Sequence, residues 1–205
     1  IMTFDLFTTS LTQGLIIAYV AYAILIPFRL LNVQDMSAEG AYTLGGALCA
    51  QLLLAGYAPS LALVGAALGG SIIGLVTCFV HLHLRVHSLL AGIVVSTMAY
   101  SVNLHIMGRP NLALFSVHTL FDGLESGGKI VLLLLFIAGT ILPFFAYLKT
   151  EYGLRFRAVG LNQAFARAQN IQTTHYLSLG MALAGATAGV AGGLMVQLQQ
   201  YMDIS

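Results

Sequence analysis

The stretch from Ser60 to Leu84 reads SLALVGAALGGSIIGLVTCFVHLHL and contains no Lys, Arg, Asp or Glu. A helix that crosses a bilayer needs about 20 predominantly apolar residues, so this stretch is long enough to span one. Five further uncharged stretches approach or exceed that length: Leu6 to Phe28, Gly40 to Tyr57, Ser88 to Gly108, Ile130 to Leu148 and Tyr176 to Met202. The pattern predicts about six membrane helices, of which the second is the shortest.

The composition of the whole chain agrees with a membrane protein. Apolar residues make up 59% of the 205 residues and charged residues 7%, whereas soluble domains have roughly 45–50% and about 25%. Backbone amides in lipid must be paired internally, and the apolar stretches are much longer than the strands of about ten residues in membrane barrels. We therefore predict an all-α fold, a polytopic transmembrane helix bundle. No composition break divides it, so residues 1–205 are treated as one transmembrane domain.

The basic residues predict which helix ends face the cytoplasm, because short cytoplasmic loops accumulate Lys and Arg. Half of the 8 basic residues lie between the last two apolar stretches: Lys149, Arg155, Arg157 and Arg167. If that segment is cytoplasmic, alternation of the helices places Arg29 and Arg85 inside and leaves only Arg109 and Lys129 outside. The N-terminus is thus predicted to face out.

A polar break containing Asp35, Ser37 and Glu39 separates the first two apolar stretches. Asp35 or Ser37 can cap the following helix, and Glu39 is favourable at its positive end. Two interpretations remain open at this point. The segment is either a cytoplasmic loop before a capped helix, or a helix broken inside the protein, where unwound backbone lines a cavity.

Two further segments are unusually polar. The fourth apolar stretch contains Ser96, Thr97, Ser101, Asn103 and His105, so its polar side is predicted to face other helices or a water-filled path. In the basic connection of residues 149–175, Asn162 can cap a short helix and Asn170 tolerates the left-handed conformation that ends one. This connection is either a loop on lipid headgroups or a helix presented to a partner protein.

Glycines at four-residue spacing occur in the third and sixth apolar stretches: Gly65, Gly69, Gly70 and Gly74, then Gly185, Gly189 and Gly193. Small residues at this spacing let helix backbones approach closely in a membrane. We expect these glycines to pack helices within the chain, with dimerisation as the alternative.

Sequence features that suggest catalysis are incomplete. The segment from Gly123 to Ile130 lacks the final Ser or Thr of a phosphate-binding loop. His81, His83 and His87 have no neighbouring carboxylate, so interfacial anchoring explains them better than a metal site. We therefore expect a non-catalytic chain without a bound metal, cofactor or nucleic acid.

Three blocks in order along the chain closely resemble ABC importer permeases of the branched-chain amino acid type: Asp35 to Gly45, Val86 to Asn111 and Gly153 to Asn162. The block VHSLLAGIVVSTMAYSVNLHIMGRPN is most similar to the subgroup linked to tryptophan and tyrosine uptake. The resemblance implies a permease in the bacterial inner membrane. Its implied partners are a second permease copy, two cytoplasmic ATPases that bind ATP and Mg²⁺, and an extracytoplasmic solute-binding protein.

The resemblance also implies roles for particular residues. The block from Asp35 to Gly45 corresponds to the central translocation region, which favours the broken-helix interpretation, with Glu39 held inside the bundle. Together with polar residues of the fourth helix, the expected path comprises Asp35, Ser37, Glu39, Gly40, Thr43, Ser101 and Asn103. The segment from Asn162 to Asn170 corresponds to the helix that couples the permease to its ATPase. The expected coupling residues are Gly153, Arg155, Arg157, Gly160, Asn162, Phe165, Arg167 and Asn170.

The chain departs from the family pattern in two respects. Gln163 and Ala164 stand where acidic residues commonly follow the coupling Asn, and Asn170 stands near the position of a Gly. Family members continue with further helices, so we expect the chain to be C-terminally incomplete or a shortened homologue. A secondary transporter or channel-like protein without ATPase partners is the alternative function, because polar helix bundles serve both.

Overall fold

The computed structural model of the chain describes residues 2–109, 111–115 and 117–203, with side chains from residue 6 onward. The longer helices are α1 (Met2–Leu25), α2 (Ala38–Leu54), α3 (Pro59–His83), α4 (Ser88–Met107), α5 (Ser126–Leu148) and α8 (Thr173–Gln199). The shorter elements are a π-helical turn (Ile26–Leu30), α6 (Glu151–Leu161), α7 (Gln163–Ala168) and the strands β1 (Asn111–Ala113) and β2 (Tyr201–Asp203). The predicted helical bundle is confirmed.

Five helical segments of the described residues are long and apolar enough to cross a membrane: Leu6–Leu30, Pro59–His83, Ser88–Met107, Ser126–Leu148 and Thr173–Gln199. The prediction of about six is therefore one too high by this measure. The exception is α2, whose 17 residues extend only about 25 Å at 1.5 Å per residue. Most of α2 is buried by its neighbours, so it lies within the bundle.

Helix α8 is the centre of the bundle and packs against α3 and α2 through glycines. A methyl group on Gly189 would collide with the backbone carbonyl oxygen of Ala66 in α3, and one on Gly192 with that of Tyr42 in α2. Similarly close approaches occur between Gly70 and Gly185. The glycine spacing thus serves packing within the chain, as expected from the sequence, because only a residue without Cβ lets two helix backbones touch.

The two ends of the helix bundle differ in structure. At one end β1 and β2 form an antiparallel pair in which Leu112 faces Met202. At the other end α6 packs on the π-helical turn, where a Cβ on Gly160 would collide with the carbonyl oxygen of Leu30. Arg29 lies in this turn. The segments predicted to face opposite sides of the membrane therefore lie at opposite ends, and which end is cytoplasmic stays a prediction.

Apolar side chains cover the outside of the bundle. Leu133 is the only side chain of α5 that is fully buried in the described chain, while Leu135 and Leu142 are 69% and 67% exposed. Contiguous apolar surface of this extent is rare on soluble monomers. It identifies α5 as a peripheral helix of the chain with an exposed, apolar outer face.

Candidate functional site

The segment before α2 is irregular and partly buried. The helix itself is continuous from Ala38 to Leu54, so the broken-helix interpretation is wrong for α2. The break lies before it, where Asp35 and Ser37 are 6% and 1% exposed. One carboxylate oxygen of Asp35 accepts the Ser37 backbone N–H at 2.7 Å and the other accepts its hydroxyl at 2.9 Å. Neither side chain caps α2, because they bond to each other.

Helix α4 presses against this irregular segment. A Cβ on Gly92 would lie 2.7 Å from the Met36 nitrogen and 2.9 Å from the Ser37 nitrogen, so a side chain cannot be placed there. Burial raises the pKa of the Asp35 carboxyl above its ordinary value of 3.8, and the hydrogen bonds from Ser37 and the proximity of His81 partly oppose this. Asp35 and Ser37 therefore form a buried, hydrogen-bonded turn.

Glu39 lies on the outside of the isolated chain and not inside the bundle as predicted. The next residue, Gly40, faces α4 so closely that a Cβ would lie 2.9 Å from the Cα of Ser96. This contact fixes the rotation of α2 and directs Glu39 outward, because successive helical residues point about 100° apart. The prediction that Glu39 lies inside the bundle failed because the rotation of α2 depends on a tertiary contact.

A cleft of about 360 Å³ runs between α2 and α4 beside Glu39. Its lining consists of Met36, Glu39, Gly40, Thr43, Ile93, Ser96, Thr97 and Tyr100. The structure thus brings together three of the predicted path residues, Glu39, Gly40 and Thr43, at one surface. It combines an acidic side chain with several hydroxyl groups on the outside of the bundle.

The other predicted path residues lie elsewhere. Ser101 is exposed but does not line the cleft. Asn103 is 0% exposed, and neither of its amide atoms has a hydrogen-bond partner in the described part of the chain. Five lining residues were absent from the expected path: Ser96 and Thr97, which the sequence marked only as polar, and Met36, Ile93 and Tyr100, which it did not mark at all. Tyr100 could have been found. Its four-residue spacing from Ser96 is the signal that places both on one face of α4.

The basic connection contains a helix, α6, that the sequence did not predict. Thr150 caps it by accepting the N–H of Gly153 at 3.3 Å. Gly153 and Gly160 allow close packing, since a Cβ on either would collide with the backbone at Tyr147 or Leu30. These two glycines, expected to serve ATPase coupling, make contacts within the chain.

The two arginines of α6 lie on its exposed surface. Arg155 and Arg157 are both exposed, and the Arg155 guanidinium lies 5.9 Å from the centroid of the Tyr152 ring. On the opposite side of the helix, Phe156 is 0% exposed and meets Tyr176 edge to face. Helix α6 is thus anchored by an aromatic side chain and presents positive charge outward.

Helix α7 begins and ends as the sequence predicts. The Asn162 side chain accepts the Phe165 N–H at 3.0 Å, and Asn170 has a left-handed backbone with φ of 57°. Ala166 is buried while Phe165 is 60% exposed. Arg167 donates to the Thr173 hydroxyl at 3.1 Å, which ties α7 to the first residue of α8.

Residues 6–205 match a protein family described as the permease component of the branched-chain amino acid transport system. The chain belongs to this family. It is 35% identical over 195 residues, 95% of its length, to a tyrosine transport system permease protein of Clostridioides difficile (strain R20291). It is 31% identical over 201 residues, 98% of its length, to an uncharacterized protein of Rickettsia prowazekii (strain Madrid E).

The chain spans 65% of the length of the first relative and 71% of the second. No solved structure matches it. The family match confirms the resemblance found in the sequence, and the apolar helices agree with a multi-pass membrane protein. The family is one of transport permeases.

Proposed function

We propose that the chain forms part of the translocation path of an ABC-type importer for an amino acid in the bacterial inner membrane. In this proposal separate cytoplasmic ATPases hydrolyse ATP, a second permease copy completes the path, and an extracytoplasmic binding protein delivers the solute. The family match over residues 6–205 carries the proposal. The name of the Clostridioides relative, a tyrosine transport system permease protein, favours tyrosine or a similar amino acid as the solute.

Helix α7 is the proposed contact with the ATPase. Its one large exposed apolar side chain is Phe165, 60% exposed, on a six-residue helix whose remaining exposed side chains are small or polar. A helix bound to lipid would need a broad apolar face rimmed with basic residues. A single aromatic residue on a rigid, capped turn suits a pocket in a protein surface, where such anchors provide much of the binding energy.

The attachment of α7 to α8 gives it a mechanical role. The Ile171 N–H donates to the Ala166 carbonyl at 3.0 Å, and Arg167 bonds to Thr173. The first bond closes the turn that follows α7, and the second joins α7 to Thr173, the first residue of α8. A displacement of α7 by an ATPase is therefore passed to α8, and α8 contacts α2 through glycine backbones.

The test compares Phe165→Ala with Leu154→Ala in the assembled permease and its cognate ATPase. Leu154 is the matched control because it is 58% exposed but lies on α6. Loss of an aromatic anchor that becomes buried on association should weaken ATPase binding by tenfold or more, and solute uptake should fall with it. The Leu154 variant should bind and transport like the wild type.

Two results would count against the proposal. Equal association of the Phe165 variant would exclude that side chain as the anchor. Uptake that continues without ATP hydrolysis would exclude an ABC importer and favour the secondary transporter.

A further inference from the structure

The hydroxyl groups in the cleft between α2 and α4 have already used their hydrogens. Ser96 donates to the Gly92 carbonyl at 2.6 Å, and its oxygen also lies 3.1 Å from the Met36 carbonyl. Thr97 donates to the Val94 carbonyl at 2.7 Å. Since a hydroxyl has one hydrogen and two lone pairs, these oxygens can offer a ligand only acceptors.

Thr43 is committed in the same way, because its hydroxyl lies 3.1 Å from the carbonyl oxygens of both Glu39 and Gly40. The Glu39 carboxylate is itself an acceptor and has no basic partner among the described side chains. The residues that line the cleft include no Lys, Arg or His. Tyr100 is the one lining side chain with a hydrogen free to donate. The cleft therefore presents an acceptor-rich, negatively charged surface.

The cleft also has the size and walls of a small-molecule site. Its volume of about 360 Å³ lies in the range of roughly 300–1,000 Å³ that ligand pockets occupy. Ile93 and Met36, which are 44% and 54% exposed, provide apolar surface beside the acceptors. This combination fits a ligand with a cationic donor group and an apolar side chain.

We propose that this cleft recognises the protonated primary amine of the transported solute. The ammonium group donates to the Glu39 carboxylate and to the oxygens of Ser96 and Thr97, while the apolar part of the solute lies against Ile93. An ammonium has three donors and no acceptor, which complements this set of groups. The inference rests on the proposed transport function and adds the recognition chemistry of the site.

A metal ion fits the cleft less well. Ca²⁺ takes six to eight oxygen ligands, often several of them carboxylates, and Mg²⁺ is usually held by carboxylates together with substrate phosphates. The cleft offers one carboxylate and hydroxyl oxygens already engaged with the backbone. An organic ammonium needs only a few acceptors and gains from the apolar wall.

The first experiment measures the charge of the cleft in the purified, assembled transporter. Ile93→Cys places a thiol in the lining, and Val94→Cys provides a control on the next residue of α4, which is 50% exposed and outside the cleft. The native Cys49 and Cys78 are buried. Cationic and anionic methanethiosulfonate reagents are compared for their rates of modification.

A unit charge about 4 Å away changes a Boltzmann factor about fivefold in water. The ratio of the cationic to the anionic modification rate should therefore be several-fold higher at position 93 than at position 94. Glu39→Gln should remove this excess. Equal rate ratios at the two positions, or an excess unchanged by Glu39→Gln, would overturn the assignment of Glu39 to a cation site.

The second experiment measures ligand binding by protection of the introduced thiol from an uncharged reagent. The probes are L-tyrosine, tyramine and 3-(4-hydroxyphenyl)propionate, which differ in whether they carry an amine. Tyrosine and tyramine should protect position 93 and the acid should not. Loss of a charge-assisted hydrogen bond in Glu39→Gln should raise the concentration of amine that gives half-maximal protection by about tenfold.

Failure of this inference is distinguishable from failure of the proposed function. Equal protection by the acid, or no protection by either amine, would refute the amine site even where uptake remains driven by ATP. Conversely, protection by amines in a protein whose uptake needs no ATP would retain the site and reject the ABC importer.

Discussion

Gln197 joins three parts of the chain at one end of the bundle. Its side chain is 0% exposed. The amide oxygen accepts the Leu120 N–H at 3.1 Å, and the amide nitrogen donates to the Pro59 carbonyl at 3.1 Å and contacts the Cys49 sulfur at 3.5 Å. Replacement by Leu keeps a similar volume but removes all three contacts.

The loss of unfolding free energy in Gln197→Leu can be estimated from what each hydrogen-bond partner loses. Pro59 is the first residue of α3, so its carbonyl retains an intrahelical acceptor role. Sulfur is a weak acceptor. The Leu120 N–H loses a partner in a partly buried position, and an unpaired buried group costs about 1–3 kcal/mol. We expect a loss of about 2 kcal/mol in unfolding free energy, with a fall in Tm of roughly 4–8 °C.

The assay is thermal unfolding of the purified protein together with hydrogen exchange at the Leu120 amide. Gln199→Leu is the matched control, since Gln199 is the last residue of α8 and is partly exposed. The control should keep its Tm and its protected Leu120 amide. Equal Tm values for the two variants, or continued protection of Leu120 in Gln197→Leu, would refute the reasoning.

Three further predictions concern other parts of the chain. Gly189→Ala should destabilise by about 1–3 kcal/mol through overpacking, whereas Gly139→Ala, which has open space around it, should be neutral or stabilising in thermal unfolding. A cysteine at His118 should react with an impermeant reagent in intact cells and one at Arg155 should not; the reverse pattern would invert the topology. Because the folded pKa of Asp35 is raised, stability should fall as the pH rises from about 3.8 through that raised pKa. Asp35→Asn should abolish this slope in pH-dependent unfolding, and an unchanged slope would assign it to another group.

The helices of the bundle could be predicted closely because their signal is one of composition. The stretch from Ser60 to Leu84 becomes α3, Pro59–His83, since a spanning helix must be uncharged over its whole length. Helix α6 could not be found this way. It carries Glu151, Arg155 and Arg157 on its surface, and its two glycines are weak helix formers.

The same contrast applies to the candidate site. Asn162 and Asn170 were predicted correctly because capping and left-handed turns are local properties of a few residues. The position of Glu39 was not, because it depends on the contact between Gly40 and Ser96, which are far apart in sequence. The uncharged stretch from Gly40 to Tyr57 predicts the approximate position of α2, Ala38–Leu54, but the rotation of α2 is decided by its contact with α4.

Helix α8 connects the proposed ATPase contact with the proposed amine site. At its start Thr173 bonds to Arg167 of α7, and in its middle Gly189 and Gly192 touch the backbones of α3 and α2. Where side chains separate two helices, rotamer changes can absorb a small shift; where backbones touch, no side chain is available to yield. In the proposed mechanism a movement imposed at α7 is therefore carried to α2, which holds Glu39. Since α4 contacts α2 at Gly40, any sliding of α2 along α4 changes the cleft between them, and this is the geometry by which ATPase movement would alter the binding of an ammonium group.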